Sequence, residues 1–353
     1  MAASNTNESF PDQAPGQASD LLPDALLRWG ILGPGRIAAA FVRSLKEVAG
    51  CVPAAVASRK YLRAHYFAEE HGVEKVFGDY AEMLADPEVD VVYIATPHVF
   101  HAQQIRMCLE AGKHVVCEKP ITTSAAELQP LIALARERRL FLMEGLWSRF
   151  FPAWHQAKSW MADGRIGMPK LLEASFCFLA PWKPEDRLLN PDLAGGALLD
   201  VGIYTLAFAT WVLGTEVREV RAVQQIGRTG VDEETAMLLR FESGAIATLT
   251  CGIRTAAPQS ARVEGVAGRL RFPEPFWKPE RVVLSTANAE EEFCYAPNPP
   301  GFQPEIAHVR DCLRGGLTES PVIPLAESLL WQEIMDAVRG RRDAIFRGTE
   351  TAE

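Results

Sequence analysis

Trp29-Gly30-Ile31-Leu32-Gly33-Pro34-Gly35-Arg36-Ile37-Ala38-Ala39-Ala40-Phe41 decides how this chain is read. It has the form of a short buried strand, a glycine turn and the first turn of a helix. Gly33, Gly35 and Ala38 fit the spacing G-x-G-x-x-G/A. The first glycine permits a tight turn, the second lets backbone approach a pyrophosphate, and a small third residue allows close helix–strand packing. Free N–H groups and the positive end of the helix dipole then face phosphates. Glycine turns after strands are common, so the rest of the chain has to support a dinucleotide site.

Downstream, strands and helices alternate. Cys51–Ala57 reads as a second strand, followed by Ser58-Arg59-Lys60 and a helix over Tyr61–His71 closed by Gly72. Val76-Phe77 is a short strand and Tyr80–Leu84 a short helix. Val89–Ala95 is a near-continuous apolar run of the kind buried on both faces, ending in Thr96-Pro97-His98. Phe100–Ala111 is helical, His114–Cys117 is a strand ending in Glu118-Lys119-Pro120, Ser124–Arg138 is helical, and Leu140–Met143 is the next strand. This alternation implies right-handed β-α-β units in a doubly wound parallel sheet.

Beyond about residue 150 the pattern changes. A helix near Trp154–Asp163, an extended stretch Lys170–Leu179, a loop over Ala180–Ala194 and an apolar helix over 197–213 lead into alternating runs. Those runs are Val217–Ile226, Glu234–Glu242, Ala245–Gly252, Ala261–Gly265, Arg269–Phe272 and Val282–Leu284, which suggest a large open, mainly antiparallel sheet. Pro304–Gly315 and Leu325–Gly340 are closing helices. The expected organisation is a disordered arm over 1–24, a dinucleotide-binding α/β Rossmann domain over 25–148, a substrate-binding and dimerisation α+β domain over 149–345, and a tail over 346–353.

Bulk properties narrow the classes. A chain of 353 residues with 48% hydrophobic and 23% charged residues suits about two ordinary globular domains. The net charge of -9 provides no basic field for nucleic acid or an anionic membrane. Seven scattered cysteines without a CxxC pair point to reduced thiols in the cytoplasm, with Cys117 as a small core residue. No H-E-x-x-H occurs, and no metal is expected. The apolar stretch Leu198–Leu213 carries Asp200, Tyr204 and Thr205 and reads as a buried helix rather than a membrane span.

Polar residues recur at the carboxyl ends of the strands, where ligands bind in open α/β sheets: Gly33 to Ile37, Ser58-Arg59-Lys60, Thr96-Pro97-His98, Glu118-Lys119 and Glu144. At the end of the second strand a carboxylate would hold ribose hydroxyls and repel a 2′-phosphate. Ser58 with Arg59 would bind that phosphate through charge-assisted hydrogen bonds, so NADP is expected over NAD. The alternative is a solvated basic loop. The candidate cofactor set is Gly33, Gly35, Arg36, Ile37, Ser58, Arg59, Thr96, Pro97, His101, Glu118 and Lys119.

Lys119 sits between Glu118 and Pro120 at a strand end, so its side chain is expected over the sheet edge. Asp200 and Tyr204, four residues apart, share one helical face, and an acid in so apolar a helix is costly unless paired. Trp147, Arg149 and Trp182 are weaker candidates for substrate contact, because aromatic faces suit a sugar ring and arginine suits hydroxyl groups; core packing is the alternative for Trp147 and Phe150.

Taken together, the Gly33-x-Gly35 turn, Glu118-Lys119-Pro120 and Gly-Gly-Ala-x-x-Asp200-x-Gly202-x-Tyr204 resemble the glucose–fructose oxidoreductase/inositol dehydrogenase (Gfo/Idh/MocA) family. Met143-Glu144-Gly145-Leu146-Trp147-Ser148-Arg149-Phe150 looks most like its branch of dimeric dihydrodiol dehydrogenases and NADP-dependent D-xylose 1-dehydrogenases. Many members carry His where this chain has Tyr204; that branch carries Tyr. The resemblance covers about residues 28 to 340. It implies a nicotinamide-dependent oxidoreductase for sugars or related diols, a C-terminal open sheet that often makes a dimer face in a homodimer or higher homo-oligomer, and Lys119 and Tyr204 as the catalytic pair with Asp200 orienting substrate. Tyr204 as a base would need its pKa lowered by roughly 2 to 3 units from about 10, with the Lys119 ammonium and the oxidised nicotinamide, both positive, supplying much of that. Lys119 could instead carry the proton. A redox-assisted hydrolase or lyase of the same fold and a non-catalytic NADP-binding sensor are the other classes that fit.

Overall fold

Short apolar runs build the first sheet. In the computed structural model, which describes residues 26–295 and 301–340, these are β1 (Leu27–Leu32), β2 (Cys51–Ala57), β3 (Lys75–Phe77), β4 (Val91–Ile94), β5 (His114–Glu118) and β6 (Leu142–Gly145). The expected arm over 1–24 and tail over 346–353 lie outside the described residues. The strands are joined by α1 (Arg36–Leu45), α2 (Tyr61–His71), α3 (Tyr80–Ala85), α4 (His101–Glu110) and α5 (Ala125–Arg138). All pairings are parallel and the order is β3-β2-β1-β4-β5-β6. The order reverses between β1 and β4, which opens a crevice at the carboxyl ends of these two strands.

Local chemistry explains the boundaries. Ala38, Phe41, Val42 and Leu45 fall on one face of α1 and are buried, the spacing of an amphipathic helix. Asp79 caps α3 by accepting from Ala81 N at 2.7 Å. Ser124 caps α5, while Glu127 reaches back to the backbone N–H of Thr123 at 2.9 Å, a capping-box arrangement displaced by one residue. β6 begins two residues later than the sequence suggests. Arg139 takes a left-handed conformation, and Leu140 N–H returns to Ala135 O at 2.9 Å, so Leu140 belongs to the exit from α5.

The second sheet has eight strands: β7 (Pro169–Cys177), β8 (Val217–Ile226), β9 (Asp232–Phe241), β10 (Ile246–Gly252), β11 (Ala261–Gly265), β12 (Gly268–Phe272), β13 (Arg281–Thr286) and β14 (Glu290–Cys294). Their order is β14-β13-β12-β11-β7-β10-β9-β8, antiparallel throughout except for β7 beside β10. β14, Glu-Glu-Glu-Phe-Cys, lacks apolar alternation and gives no strand signal; it is an edge whose acids face solvent and pair with Arg165, Arg271 and Arg281. Helices α6 (Pro152–Ala162) and α7 (Ile203–Leu213) cover one face of the sheet. Trp154 of α6 is fully buried against Phe208 and Trp211 of α7, and its indole N–H donates to Phe276 O at 3.0 Å. The stretch Pro191–Leu213 is long and apolar enough to cross a membrane by composition, yet 89% of it is buried inside the protein.

Two closing helices, α8 (Gln303–Arg314) and α9 (Leu325–Gly340), do not stay with the second sheet. Phe302 N–H donates to Ser44 Oγ at the end of α1, and Ala125 N–H at the start of α5 donates to Asp336 of α9 at 2.8 Å. The end of the chain thus completes the helical layer of the first sheet, across the boundary expected near residue 148. This return places Phe302, just ahead of α8, against Phe41, Tyr93 and Trp147, and α9 against α5 and β6.

Candidate active site

The first glycine turn is built as its sequence demands. Gly33 has φ +89°, and a Cβ there would meet Thr96 Cγ2 at 2.7 Å and Ala95 O at 3.0 Å. The turn thus lies directly against the end of β4. Gly35 precedes α1 with no side-chain cap, and a Cβ on it would meet nothing within 4 Å. An uncapped helix start beside open space fits a dinucleotide phosphate group. Arg36 and Ile37 are exposed in that first turn. Ser58 and Arg59 follow β2, whose end pairs with that of β1 (Leu32 opposite Ala57). The Arg59 guanidinium lies 4.9 Å over the Phe100 ring, which comes from the turn after β4. The buried Ser58 hydroxyl, which accepts from Lys60 N–H at 3.3 Å, and the adjacent Arg59 guanidinium thus stand at the carboxyl end of β2, beside the turn after β4. Thr96 and Pro97 line the turn after β4, with Thr96 Oγ1 donating to Gln104 Oε1 at 2.6 Å.

Lys119 and Asp200, 81 residues apart, meet. Lys119 Nζ donates to Asp200 Oδ1 at 3.1 Å and to the Asp200 backbone carbonyl at 2.5 Å. The carbonyl is reachable because Leu198–Gly202 forms a π-helical turn ahead of α7; such turns loosen the α-helical ladder and recur at functional sites. Gly196 makes this turn possible. It has φ +119°, and a Cβ there would lie 2.1 Å from Asp232 Oδ1, the carboxylate whose other oxygen accepts from Leu198 N–H at 2.7 Å. Asp200 holds a second cation, Arg187, at 2.8 Å on the same Oδ1. Burial works against the Asp200 carboxylate, but the cations Lys119 and Arg187 hold its pKa well below the ordinary range. The nearby His98 is pushed well down by burial and adjacent cations, and stays neutral.

Tyr204, 8% exposed, lies under Lys119, whose Nζ is 5.1 Å from the ring centroid. Lys119 thus sits over the ring face and gives its protons to Asp200. Burial and the nearby carboxylates Glu118 and Asp200 push the Tyr204 pKa well above its ordinary value, with the Trp147 side chain as an opposing hydrogen-bond donor. The expected lowering of the Tyr204 pKa is therefore reversed in this arrangement: a phenol in an apolar wall beside two acids keeps its proton.

An aromatic wall surrounds this group. Trp147 stacks on Phe302 with centroids 4.7 Å apart, Phe176 stacks on Trp277 at 5.1 Å, and Tyr204 touches both Phe176 and Trp277. Trp147 therefore lies in the aromatic wall beside Tyr204. Arg187, Phe176, Trp277 and Phe302 were not anticipated. Arg187 comes from an irregular loop, and Trp277 and Phe302 lie in stretches with no motif; only the polar spacing of Arg187 ahead of the glycine pair could have marked it.

Four expectations are corrected. Arg149 does not face the site: it is 2% exposed, bonded to Glu327 on α9 at 2.5 Å and to Ala207 O at 2.9 Å, so its charge is spent inside the protein. His101 does not face a cofactor either. It is fully buried, with Nε2 2.8 Å from Thr96 O and Nδ1 2.9 Å from Pro120 O, and so ties the turn after β4 to the turn after β5. Glu118 turns its carboxyl onto the Tyr93 hydroxyl, which donates to it, and burial raises its pKa. Glu144 lies wholly inside, accepting from Ile121 N–H at 3.0 Å. Trp182 is 44% exposed and packs against Arg254 at 5.4 Å, on the outer part of the loop that carries Arg187. Cys117 is fully buried, as a core thiol should be, and burial and neighbouring acids raise its pKa.

Comparison with known proteins agrees with this geometry. Residues 27–146 match the oxidoreductase family with NAD-binding Rossmann fold, and residues 154–271 match the GFO/IDH/MocA C-terminal domain. The chain is 38% identical over 323 residues to trans-1,2-dihydrobenzene-1,2-diol dehydrogenase of Bos taurus, covering 89% of this chain and 96% of that protein. A 3-ketoreductase of Actinomadura kijaniata, solved with NADP and TDP-benzene, superposes with a TM-score of 0.80 at 33% identity over 89% of this chain and 97% of that one. An aldose-aldose oxidoreductase of Caulobacter crescentus, solved with glycerol, superposes with a TM-score of 0.82 at 26% identity over 89% and 98% of the two chains. With both of its halves matched and its motif residues gathered in one crevice, the chain belongs to the GFO/IDH/MocA family of nicotinamide-dependent oxidoreductases.

Proposed function

We infer that the protein is an NADP-dependent oxidoreductase acting on a carbinol or carbonyl carbon of a sugar or related cyclic diol. The observation that carries this is the Lys119–Asp200 contact over the Tyr204 ring at the carboxyl end of β5. The relatives named above act on a dihydrodiol and on aldoses, and one was solved with NADP. The nicotinamide supplies or accepts the hydride. The uncapped start of α1 with Gly33 and Gly35 would hold its phosphates, and Ser58 with Arg59 its 2′-phosphate.

The chain's own groups divide the remaining work. Lys119 is placed to move the proton of the reacting oxygen, because its ammonium is anchored by Asp200 yet borders the aromatic wall. Tyr204, held protonated, donates a hydrogen bond that orients that oxygen. Arg187 shares Asp200 Oδ1 with Lys119 and keeps the carboxylate ionised. Trp147, Trp277 and Phe302 exclude water and offer flat apolar faces to a ring. Oxidation and reduction use the same groups in opposite order.

The reduced-nicotinamide absorbance band tests this, with NADP and then NAD against aldoses and cyclic diols, and NADPH against keto-sugars for the reverse direction. Turnover preferring NADP is expected. Cofactor binding without turnover on every substrate would leave a sensor. Release of a cleaved product without net reduction would leave a redox-assisted hydrolase.

We further place the protein in the cytoplasm as a homodimer. The free thiols suit a reducing compartment. The outer face of the second sheet exposes Leu171, Val223, Leu238 and Ile246 among ion-paired arginines, a surface that a second copy could cover. Light scattering of the purified protein, beside a Val223→Glu/Leu238→Glu variant, tests this assembly.

A further inference from the structure

Behind Lys119 runs a seam of buried polar groups that the proposed reaction does not use. Glu144, at the penultimate position of β6, is completely buried, and its register places it opposite Cys117, one residue before Glu118. Its Oε1 accepts from the N–H of Ile121 at 3.0 Å, two residues beyond Lys119. Facing it from α9 is the fully buried Ser328, whose hydroxyl interacts with the carboxylate and works to lower its pKa. One turn further along the same helix Gln332 is also fully buried, and its amide atoms have no hydrogen-bond partner among the described residues.

We propose that Glu144 is the positioning residue of the active site: its carboxylate, with Ser328 of α9 at its back, fixes the turn that presents Lys119 to Asp200. The turn has few other anchors. Pro120 offers no N–H, and its carbonyl is taken by His101 on the opposite side. Beyond the β5–β6 ladder, which ends at Glu118 opposite Gly145, the Ile121 N–H ties the far side of the turn back to β6. Glutamate suits the task because one oxygen can hold the N–H while the other faces the Ser328 hydroxyl. The charged groups around it are Lys119 and Glu118 on the turn and at the end of β5, and Arg149 below β6, already paired with Glu327. Burial raises the Glu144 pKa to about 7. Its charge therefore changes in the neutral range, and the grip on Ile121 N–H tightens as the carboxylate forms.

This rests on the role given to Lys119, and the test separates the two. Glu144→Leu, Glu144→Gln and Lys119→Met are compared by turnover, NADPH affinity from fluorescence titration, and pH profile. Lys119→Met with near-normal turnover sinks the role of Lys119. With Lys119→Met inactive, Glu144→Leu is expected to lower kcat by about 30-fold while KM and NADPH affinity stay within about 3-fold, since a small misplacement of a reacting group is enough to slow chemistry. Glu144→Gln keeps an acceptor for Ile121, so kcat should recover to within about 3-fold of wild type, but without the rise in kcat through about pH 7 that the wild-type enzyme shows. Wild-type kcat in Glu144→Leu overturns the proposal. Should Glu144→Leu fail to fold, the pH profile decides: a rise through neutral pH retained in Glu144→Gln overturns it equally.

Discussion

Lys119 Nζ reaches two oxygens of one residue, the Asp200 backbone carbonyl at 2.5 Å and its Oδ1 at 3.1 Å. A side chain seldom competes for a helical carbonyl, and here it does so only because the helix opens into a π turn at that point. The ammonium is thereby fixed in direction as well as charge. Lys119→Met should lower kcat by about 10²- to 10⁴-fold, the usual worth of a positioned proton-transfer group, with cofactor affinity little changed. Arg187→Met leaves Lys119 on Asp200 and should cost only about 10-fold. Turnover and NADPH titration measured together on both variants check this, and equal losses in the two would show that Arg187 does more than share the carboxylate.

Tyr204 keeps its proton in this setting, because burial and the acids Glu118 and Asp200 both push its pKa up. It should act as a neutral donor across the whole neutral range. Tyr204→Phe, which removes only the hydroxyl, should lower kcat by about 10²-fold with cofactor affinity preserved. Ultraviolet difference spectra should show no tyrosinate below about pH 10 that disappears in Tyr204→Phe. A tyrosinate near pH 8 assigned by that comparison would return Tyr204 to the role of base.

Arg59 lies against Phe100 and beside Ser58 at the end of β2. A guanidinium on phosphate contributes roughly 1.5–3 kcal/mol. Arg59→Ala should therefore weaken NADP binding by about 10- to 100-fold and leave NAD binding nearly unchanged. Calorimetric titration of both cofactors checks this; equal loss for the two would remove Arg59 from 2′-phosphate recognition.

How much of this was legible beforehand follows the range of the interactions. The strands of the first sheet, the Gly33 and Gly35 turn and the Lys119–Asp200–Tyr204 group each rest on local pattern, so the sequence exposes them. Arg187 and Trp277 come from segments without periodicity, and only the folded chain brings them to Tyr204. Arg149 misleads for the same reason: beside Trp147 it resembles a ligand for hydroxyl groups, but its partner Glu327 lies 178 residues away. Glu144 sits at a strand end like the cofactor residues around it, and nothing local reveals that it points inward. Helices α8 and α9 read correctly as helices, yet their return to the first sheet is a long-range choice that periodicity does not encode.

The Arg149–Glu327 pair is buried, and Thr210 Oγ1 adds a 2.6 Å bond to the carboxylate. Removing one partner strands the other charge in the interior, at a cost of about 3–5 kcal/mol. Arg149→Met should unfold at correspondingly lower urea, while the double variant Arg149→Met/Glu327→Leu should regain much of the loss. Turnover per folded molecule should stay near wild type in both. A specific loss of turnover at unchanged stability would restore Arg149 to the substrate site.

Glu144 gives stability a pH dependence of opposite sign to that of Asp200. Its folded pKa is raised from 4.5 to about 7, so between these values the folded chain holds a proton that the unfolded chain has released. Stability from this group is fully present below about pH 4.5 and is lost as pH rises through 7, by about 3 kcal/mol at 1.36 kcal/mol per unit. Asp200, with its pKa lowered, contributes above its unfolded value and loses that contribution only in strong acid. Glu118 and Glu305 are also raised by burial, so the wild-type curve sums several carboxyls, and only a difference isolates one. Glu144→Gln cannot titrate. The gap in unfolding free energy between wild type and Glu144→Gln, taken from urea curves at pH 5 and pH 8, should shift by about 2.5 kcal/mol toward the variant at the higher pH, part of the effect being already lost at pH 5. A gap that is flat with pH would mean that Glu144 is already ionised in the folded protein at pH 5, with Ser328, the Ile121 N–H and Lys119 outweighing its burial.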